Sequence, residues 1–156
     1  FAQVIFSFVQ FCIEMSLLCV GLILVGSPIL QWIPLAFLLM LLLAVYSSGF
    51  ALAVSVGAVF FRDLRYLWTI IIQVLFFATP IIYPPDQLEG QIHPYLEFIF
   101  HWNPMAMFVL SFRQLLYSGR PPRAGHIVYL VCVSVISFVV GWAIFVKFSR
   151  RLAEEV

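Results

Sequence analysis

The chain has little charge. Of its 156 residues, 10% are charged, against about 25% in an ordinary soluble domain. Its eight basic and seven acidic residues leave a formal net charge of +1 and are scattered, so no basic face exists to neutralise a run of phosphates. No nucleic-acid partner is expected. Cysteine is scarce as well: Cys12, Cys19 and Cys132 form no CxxC and no Cys/His cluster of the kind zinc or dithiol chemistry needs. They read as small core or lipid-facing residues, and no metal site is expected. Also missing are GxSxG, HExxH, a loop of paired aspartates and a glycine loop that cradles phosphate. The chain is therefore not expected to be an enzyme or to hydrolyse ATP itself. No basic segment with a small-residue cleavage site precedes the first hydrophobic run, which is not read as a signal peptide. With Phe1 as its first residue, the chain is expected to be a fragment.

Apolar surface is what the sequence has in excess, with 64% of residues hydrophobic. A water-soluble fold of this length buries about two-thirds of its surface, which would leave whole apolar windows exposed to aggregate. Lipid removes the conflict, and an all-α, polytopic membrane protein follows. A spanning helix rises about 1.5 Å per residue across roughly 30 Å, so about twenty mostly apolar residues are needed. Residues 4–26 qualify, interrupted by Gln10 and Glu14 and stopped by Gly26, Ser27 and Pro28. Residues 35–61 qualify with length to spare for tilt, and 127–147 qualify with Lys147, Arg150 and Arg151 at their end. Residues 68–83 form a further span broken at its upper end, because Pro80, Pro84 and Pro85 leave about fifteen clean helical residues from Tyr66 onward. Between 93 and 117, two short apolar pieces meet at Asn103 and Pro104, a turn signal. Neither piece can cross alone, so the segment reads as a re-entrant hairpin.

Arg62 and Arg65 lie in one short loop, and Lys147, Arg150 and Arg151 follow the last span, which makes their shared side cytoplasmic by the positive-inside rule. Both ends of the fragment are then cytoplasmic. Trp32, Trp68 and Trp102 fall near expected interfaces with membrane lipids. Arg150 with Glu154, and Arg151 with Glu155, are i,i+4 pairs that would continue the last helix beyond the membrane.

Few residues stand out for function. Glu14 is an intramembrane carboxylate about midway along the first span, where ionisation is costly unless it is paired or hydrated. It is a functional candidate, or else it is protonated or bonds a polar group on a neighbouring helix. The Phe61–Arg65 loop, with Arg62, Asp63 and Arg65, is either a solvated turn that anchors helix ends or a surface facing a cytoplasmic partner. Aromatic residues make up 17% of the chain, and Phe60, Phe61, Phe76, Phe77, Tyr83, Phe98, Phe100 and Trp102 gather around the broken helix and hairpin. Sugar rings stack their C–H faces on such side chains, although phenylalanine also serves as filler between membrane helices.

The order of motifs is more specific than any one residue. Val59-Phe60-Phe61-Arg62-Asp63-Leu64-Arg65, then Gln73 to Pro84 (QVLFFATPIIYP), then Trp102-Asn103-Pro104, then Phe112 to Gly119 (FRQLLYSG) resemble the carboxyl-terminal two-thirds of a type-2 ABC exporter permease of the polysaccharide, O-antigen, galactan and teichoic acid branch. The resemblance covers about Val59 to Gly119, and the tail from Phe148 to Val156 is also similar.

That resemblance implies a six-helix permease in the bacterial cytoplasmic (inner) membrane, paired with a second copy of itself and docked on an ABC ATP-binding subunit that holds ATP and Mg. It implies a lipid-linked polysaccharide moving along the dimer interface, with Phe76, Phe77, Tyr83, Trp102, Asn103 and Pro104 at the path or its gate. The chain would be a single transmembrane domain over 1–156 that begins at the third helix, with the first two helices and the main coupling helix upstream. Arg62, Asp63, Arg65 and the tail would then be what remains to meet the ATPase. Two other readings stay open. One is a drug or lipid exporter of the same class. The other is a membrane-embedded transferase accessory that uses the hairpin as a groove, with Glu97, His101 and Arg113 as its cluster.

Overall fold

A computed structural model describes residues 2–24, 30–61, 63–79 and 102–152. They form α1 (Ala2–Leu24), a 3-10 turn (Leu30–Trp32), α2 (Ile33–Phe60), α3 (Leu64–Ala78), α4 (Pro104–Tyr117) and α5 (Ala124–Leu152), with no strand among the described residues. The all-α class read from composition is the class observed. Two of these helices are long and apolar enough to cross a membrane, over Ile33–Phe60 and Ala124–Phe148, while Ile5–Gly21 and Tyr66–Ala78 are shorter apolar stretches.

α2 starts where Pro34 occupies the first turn, a position whose N–H has no helical partner in any case. Its buried residues Ala36, Leu39, Met40, Leu42, Gly49, Leu52 and Val56 recur mostly at three and four, so one stripe of the helix faces protein. The core lies between α2, α4 and α5, where Leu39, Phe108, Leu115 and Leu130 are almost wholly enclosed. The other faces carry Leu17, Phe37, Ile136 and Val139, each more than half exposed. Such a surface is stable where the solvent is hydrocarbon.

α2 and α5 run parallel and touch backbone to backbone. The Ser137 hydroxyl donates to the Tyr46 carbonyl at 3.0 Å, Gly141 lies against Gly49, and Phe60 meets Phe148 edge to face at 5.8 Å. A methyl group on Gly49 would stand 2.6 Å from Ser137 Oγ, and one on Gly141 would stand 2.8 Å from the Gly49 carbonyl carbon. Lipid supplies no hydrophobic drive between helices, so association relies on dispersion and hydrogen bonds, which small residues allow by close approach.

Helix ends differ from the expected spans for local reasons. α3 begins four residues before 68 because the turn after α2 is already closed: Leu64 N donates to Phe61 O, and Tyr66 and Leu67 N both donate to Asp63 O, each at 3.1 Å. It ends at Ala78, with Thr79 extended at φ −105 and ψ 128, as a residue preceding proline favours. α5 starts at Ala124 rather than 127, with the Arg123 carbonyl accepting from His126 N and Ile127 N at 2.9 and 3.3 Å. Leu152 is its last described residue, so the expected extension through Glu154 and Glu155 lies outside the described residues.

Both ends of α4 stay near the start of α5. Its entry is tied there by the Tyr129 hydroxyl, which donates to the Trp102 carbonyl at 2.8 Å, and its exit joins α5 through residues 118–123. That exit turns on Gly119, at φ 58, with Ser118 N and Arg120 N both donating to Gln114 O at 3.2 and 3.3 Å. Gly119→Ala puts a Cβ into left-handed backbone and is expected to cost about 1 kcal/mol. The checking measurement is a thermal melt of the purified protein in detergent. An unchanged midpoint would show that α4 does not depend on this turn.

Candidate functional site

α2, α3 and α4 enclose a cavity of about 740 Å³, within the range of small-molecule sites. Its α2 wall repeats every three or four residues, through Ser47, Phe50, Ala51, Val54, Ser55 and Ala58, which is one face of a helix. The rings form a chain: Phe108 to Tyr46 at 5.8 Å, Tyr46 to Phe50 at 5.0 Å, and Phe50 to Trp68 of α3 at 6.4 Å. Tyr46, Phe50, Trp68 and Phe76 all line the cavity, so an aromatic surface runs across it. Hydroxyls are present but partly committed, since Ser55 donates to Leu52 O and Thr79 to Leu75 O, both at 2.7 Å.

Asn103 joins two of the lining residues, Thr79 and Met105. It is the N-cap of α4, in extended backbone at φ −76 and ψ 113, with Pro104 in the first helical turn. Its side-chain oxygen accepts from Met105 N at 3.0 Å. That backbone group can only donate, which identifies the oxygen and leaves Nδ2 pointing toward α3. Nδ2 donates to the Ala78 carbonyl at 3.3 Å and to Thr79 Oγ1 at 3.5 Å. One side chain thus caps α4 and ties it to the last turn of α3.

The gate residues expected from sequence are not all brought together. Phe76 lines the cavity, and Phe77 stands edge to face with it at 5.6 Å but is 66% exposed and is not among the lining residues. Trp102 is also largely exposed, anchored through its carbonyl. Tyr83 lies outside the described residues, as do Glu97, His101 and the first limb of the expected hairpin.

Glu14, expected as an intramembrane carboxylate, has a partner on its own helix, where Gln10 Nε2 donates to Glu14 Oε1 at 3.0 Å. This satisfies one oxygen without the neighbouring helix that the sequence suggested. Asp63 is exposed and forms no capping bond with its side chain. Arg65 falls in the first turn of α3, and Arg62 lies outside the described residues. The Phe60 and Phe148 contact nevertheless brings the end of α2 beside Lys147, so the two basic segments of the sequence converge on one end of the bundle.

Residues 1–117 match the family model of the ABC-2 type transporter. The chain belongs to this family of transporter membrane proteins. Two O-antigen export system permease proteins RfbA of Klebsiella pneumoniae are similar to it. One is 30% identical over 128 residues, 82% of this chain and 48% of that protein; the other is 32% identical over 110 residues, 70% and 40%. The RfbA protein of Myxococcus xanthus is 29% identical over 96 residues, 62% of this chain and 36% of its own length. The chain spans less than half the length of each of these curated relatives. No solved structure matches it. For this ABC-2 family member, the cavity rings Tyr46, Phe50 and Trp68 escaped the sequence reading, which sought aromatics near the prolines. A signal existed in the spacing of Tyr46 and Phe50, one helical turn apart on the same face as Ala51, Val54 and Ala58.

Proposed function

We propose that this chain is part of the channel-forming permease of an ABC exporter that moves a lipid-linked polysaccharide, of O-antigen, galactan or teichoic acid type, across the bacterial inner membrane. The observation that carries the reading is the likeness over 82% of the chain to an O-antigen export system permease. The ring surface formed by Tyr46, Phe50, Trp68 and Phe76 is compatible with it, because aromatic faces accept the C–H faces of sugars and let a polymer slide. In this reading the permease is a homodimer, and a separate ATP-binding subunit supplies ATP, Mg and hydrolysis. The end of the bundle that carries Asp63 and Lys147 faces the cytoplasm and that subunit, as do both ends of the chain. α4 is the second limb of a re-entrant hairpin, and Phe76, Phe77, Tyr83, Trp102, Asn103 and Pro104 border the path.

A second reading, export of a lipid or a hydrophobic drug, draws on the cavity's chemistry. Ser55 and Thr79 direct their protons to their own helices, so the walls offer an apolar cargo more than they offer a sugar. Copurification of the full-length permease from its native membrane separates the two. An ATPase in stoichiometric amount, with a lipid-linked glycan trapped on the cytoplasmic face when the pair is depleted, is the expected result. An ATPase without trapped glycan favours the second reading, and absence of any ATPase sinks both.

A further inference from the structure

We infer that Asn103 is a positioning residue that sets the width of the cavity between α2, α3 and α4, separately from its role as a helix cap. Of the three residues bonded through the two ends of its amide, Met105 on α4 and Thr79 after α3 line the cavity, and Ala78, whose carbonyl takes the shorter bond from Nδ2, is the last residue of α3 beside it. The bond chain runs from Asn103 Nδ2 to Thr79 Oγ1 and on to Leu75 O, and Leu75 lines the cavity too. The tie therefore ends on the wall it holds. Residues 69–77 of α3 are all exposed along its length, and Trp68 meets Phe50 of α2 ring to ring. With Thr79 5% exposed, the junction beneath Asn103 is the best-packed point of this end of α3. Releasing it removes the hydrogen-bonded tie between α4 and this end of α3, so the helix can swing and the cavity can widen toward that end. The inference concerns geometry and does not depend on which cargo is carried.

Chemistry separates the two roles of the side chain. Asparagine and aspartate cap helices about equally well, but aspartate has no N–H to offer Ala78 O or Thr79 Oγ1 and would face two acceptors. Asn103→Asp keeps the cap and removes the tie. The test uses the full-length permease in native-lipid vesicles, with Cys12, Cys19 and Cys132 replaced by alanine and Val54→Cys placed in the cavity wall. The rate at which a small charged methanethiosulfonate modifies that thiol is measured. Two long neutral hydrogen bonds control an opening ratio of about fivefold, so Asn103→Asp is expected to raise the rate by about that factor while the melting midpoint falls by only about 2–4 °C. Thr79→Val, which removes one of the two acceptors and the onward bond, is expected to raise it about twofold. An unchanged rate in folded Asn103→Asp overturns the inference. If that variant fails to fold, Thr79→Val decides, a rise supporting the tie and an unchanged rate overturning it. A residue that merely stabilised the fold would lower the midpoint without this gain in reactivity.

Discussion

Gly141→Val is expected to drive α2 and α5 apart and to be strongly destabilising. The first atom of the new side chain would lie 2.8 and 2.9 Å from the Gly49 carbonyl carbon and Cα, and these are backbone atoms that no rotamer change can move. Overpacking of a flexible core costs about 1–3 kcal/mol, and here relief requires separating two long helices. Separation also stretches the 3.0 Å bond from Ser137 Oγ to Tyr46 O, worth roughly 0.6 kcal/mol in a membrane interior. It loosens the dispersion contacts on which helix association in lipid rests. A total of about 3 kcal/mol or more lowers the melting midpoint by roughly 10 °C for a chain of this size. Gly21 and Gly125 provide the contrast, because a methyl on either meets nothing within 4 Å. Gly21→Ala should leave stability unchanged or raise it by up to about 1 kcal/mol through helix propensity. Thermal melts and cross-linking of the detergent-purified full-length protein would check the set. If Gly141→Val melted with Gly21→Ala, the crossing of α2 and α5 would have to be wider than its glycines indicate.

That crossing shows where sequence reading stopped. The long apolar helices over Ile33–Phe60 and Ala124–Phe148 were legible because each is an unbroken apolar run of more than twenty residues, and the break after Ala78 was legible because Pro80 removes the next donor. The partner of each helix was not. Gly49, Ser137 and Gly141 are common residue types within apolar runs, and nothing in one helix states which small residue on another helix it will meet. The same limit applied to Asn103. Its pairing with Pro104 identified a turn, and the turn is indeed where α4 begins, but the reach of its amide to Ala78 and Thr79 is a contact across two dozen residues of sequence. Glu14 went the other way, since its partner Gln10 stood four residues earlier, and i,i+4 neighbours on a helix are readable without a structure. Aromatic composition pointed to the region of the cavity through Phe76, while its main ring surface came from Tyr46 and Phe50 on the preceding helix.

If the chain is part of an exporter, as proposed, Ala51→Trp is expected to cut export by roughly tenfold or more while leaving the protein folded. Ala51 lines the cavity and its side chain is exposed there, so an indole can enter open space without displacing a packed neighbour. Its ring would project across the surface made by Phe50 and Trp68. A cargo that passes through the cavity must then push the indole aside or strain the walls. Packing strain of about 1–3 kcal/mol, added to the barrier for passage, slows the step by about one to two orders of magnitude. Phe77→Ala serves as the counterpart outside the cavity lining, where the ring is exposed and stands edge to face with Phe76. Export would be followed in cells lacking the native permease, alongside the melting midpoint of each purified variant. A loss with Ala51→Trp and normal export with Phe77→Ala would put the route between α2 and α3. The opposite pattern would put it along the outer face of α3 and would remove Phe76 from the path while keeping Phe77. Losses in both would mean that the cargo contacts α3 on both sides, and the helix itself, standing on its turn at Asp63 and tied at Thr79, would then be the moving wall.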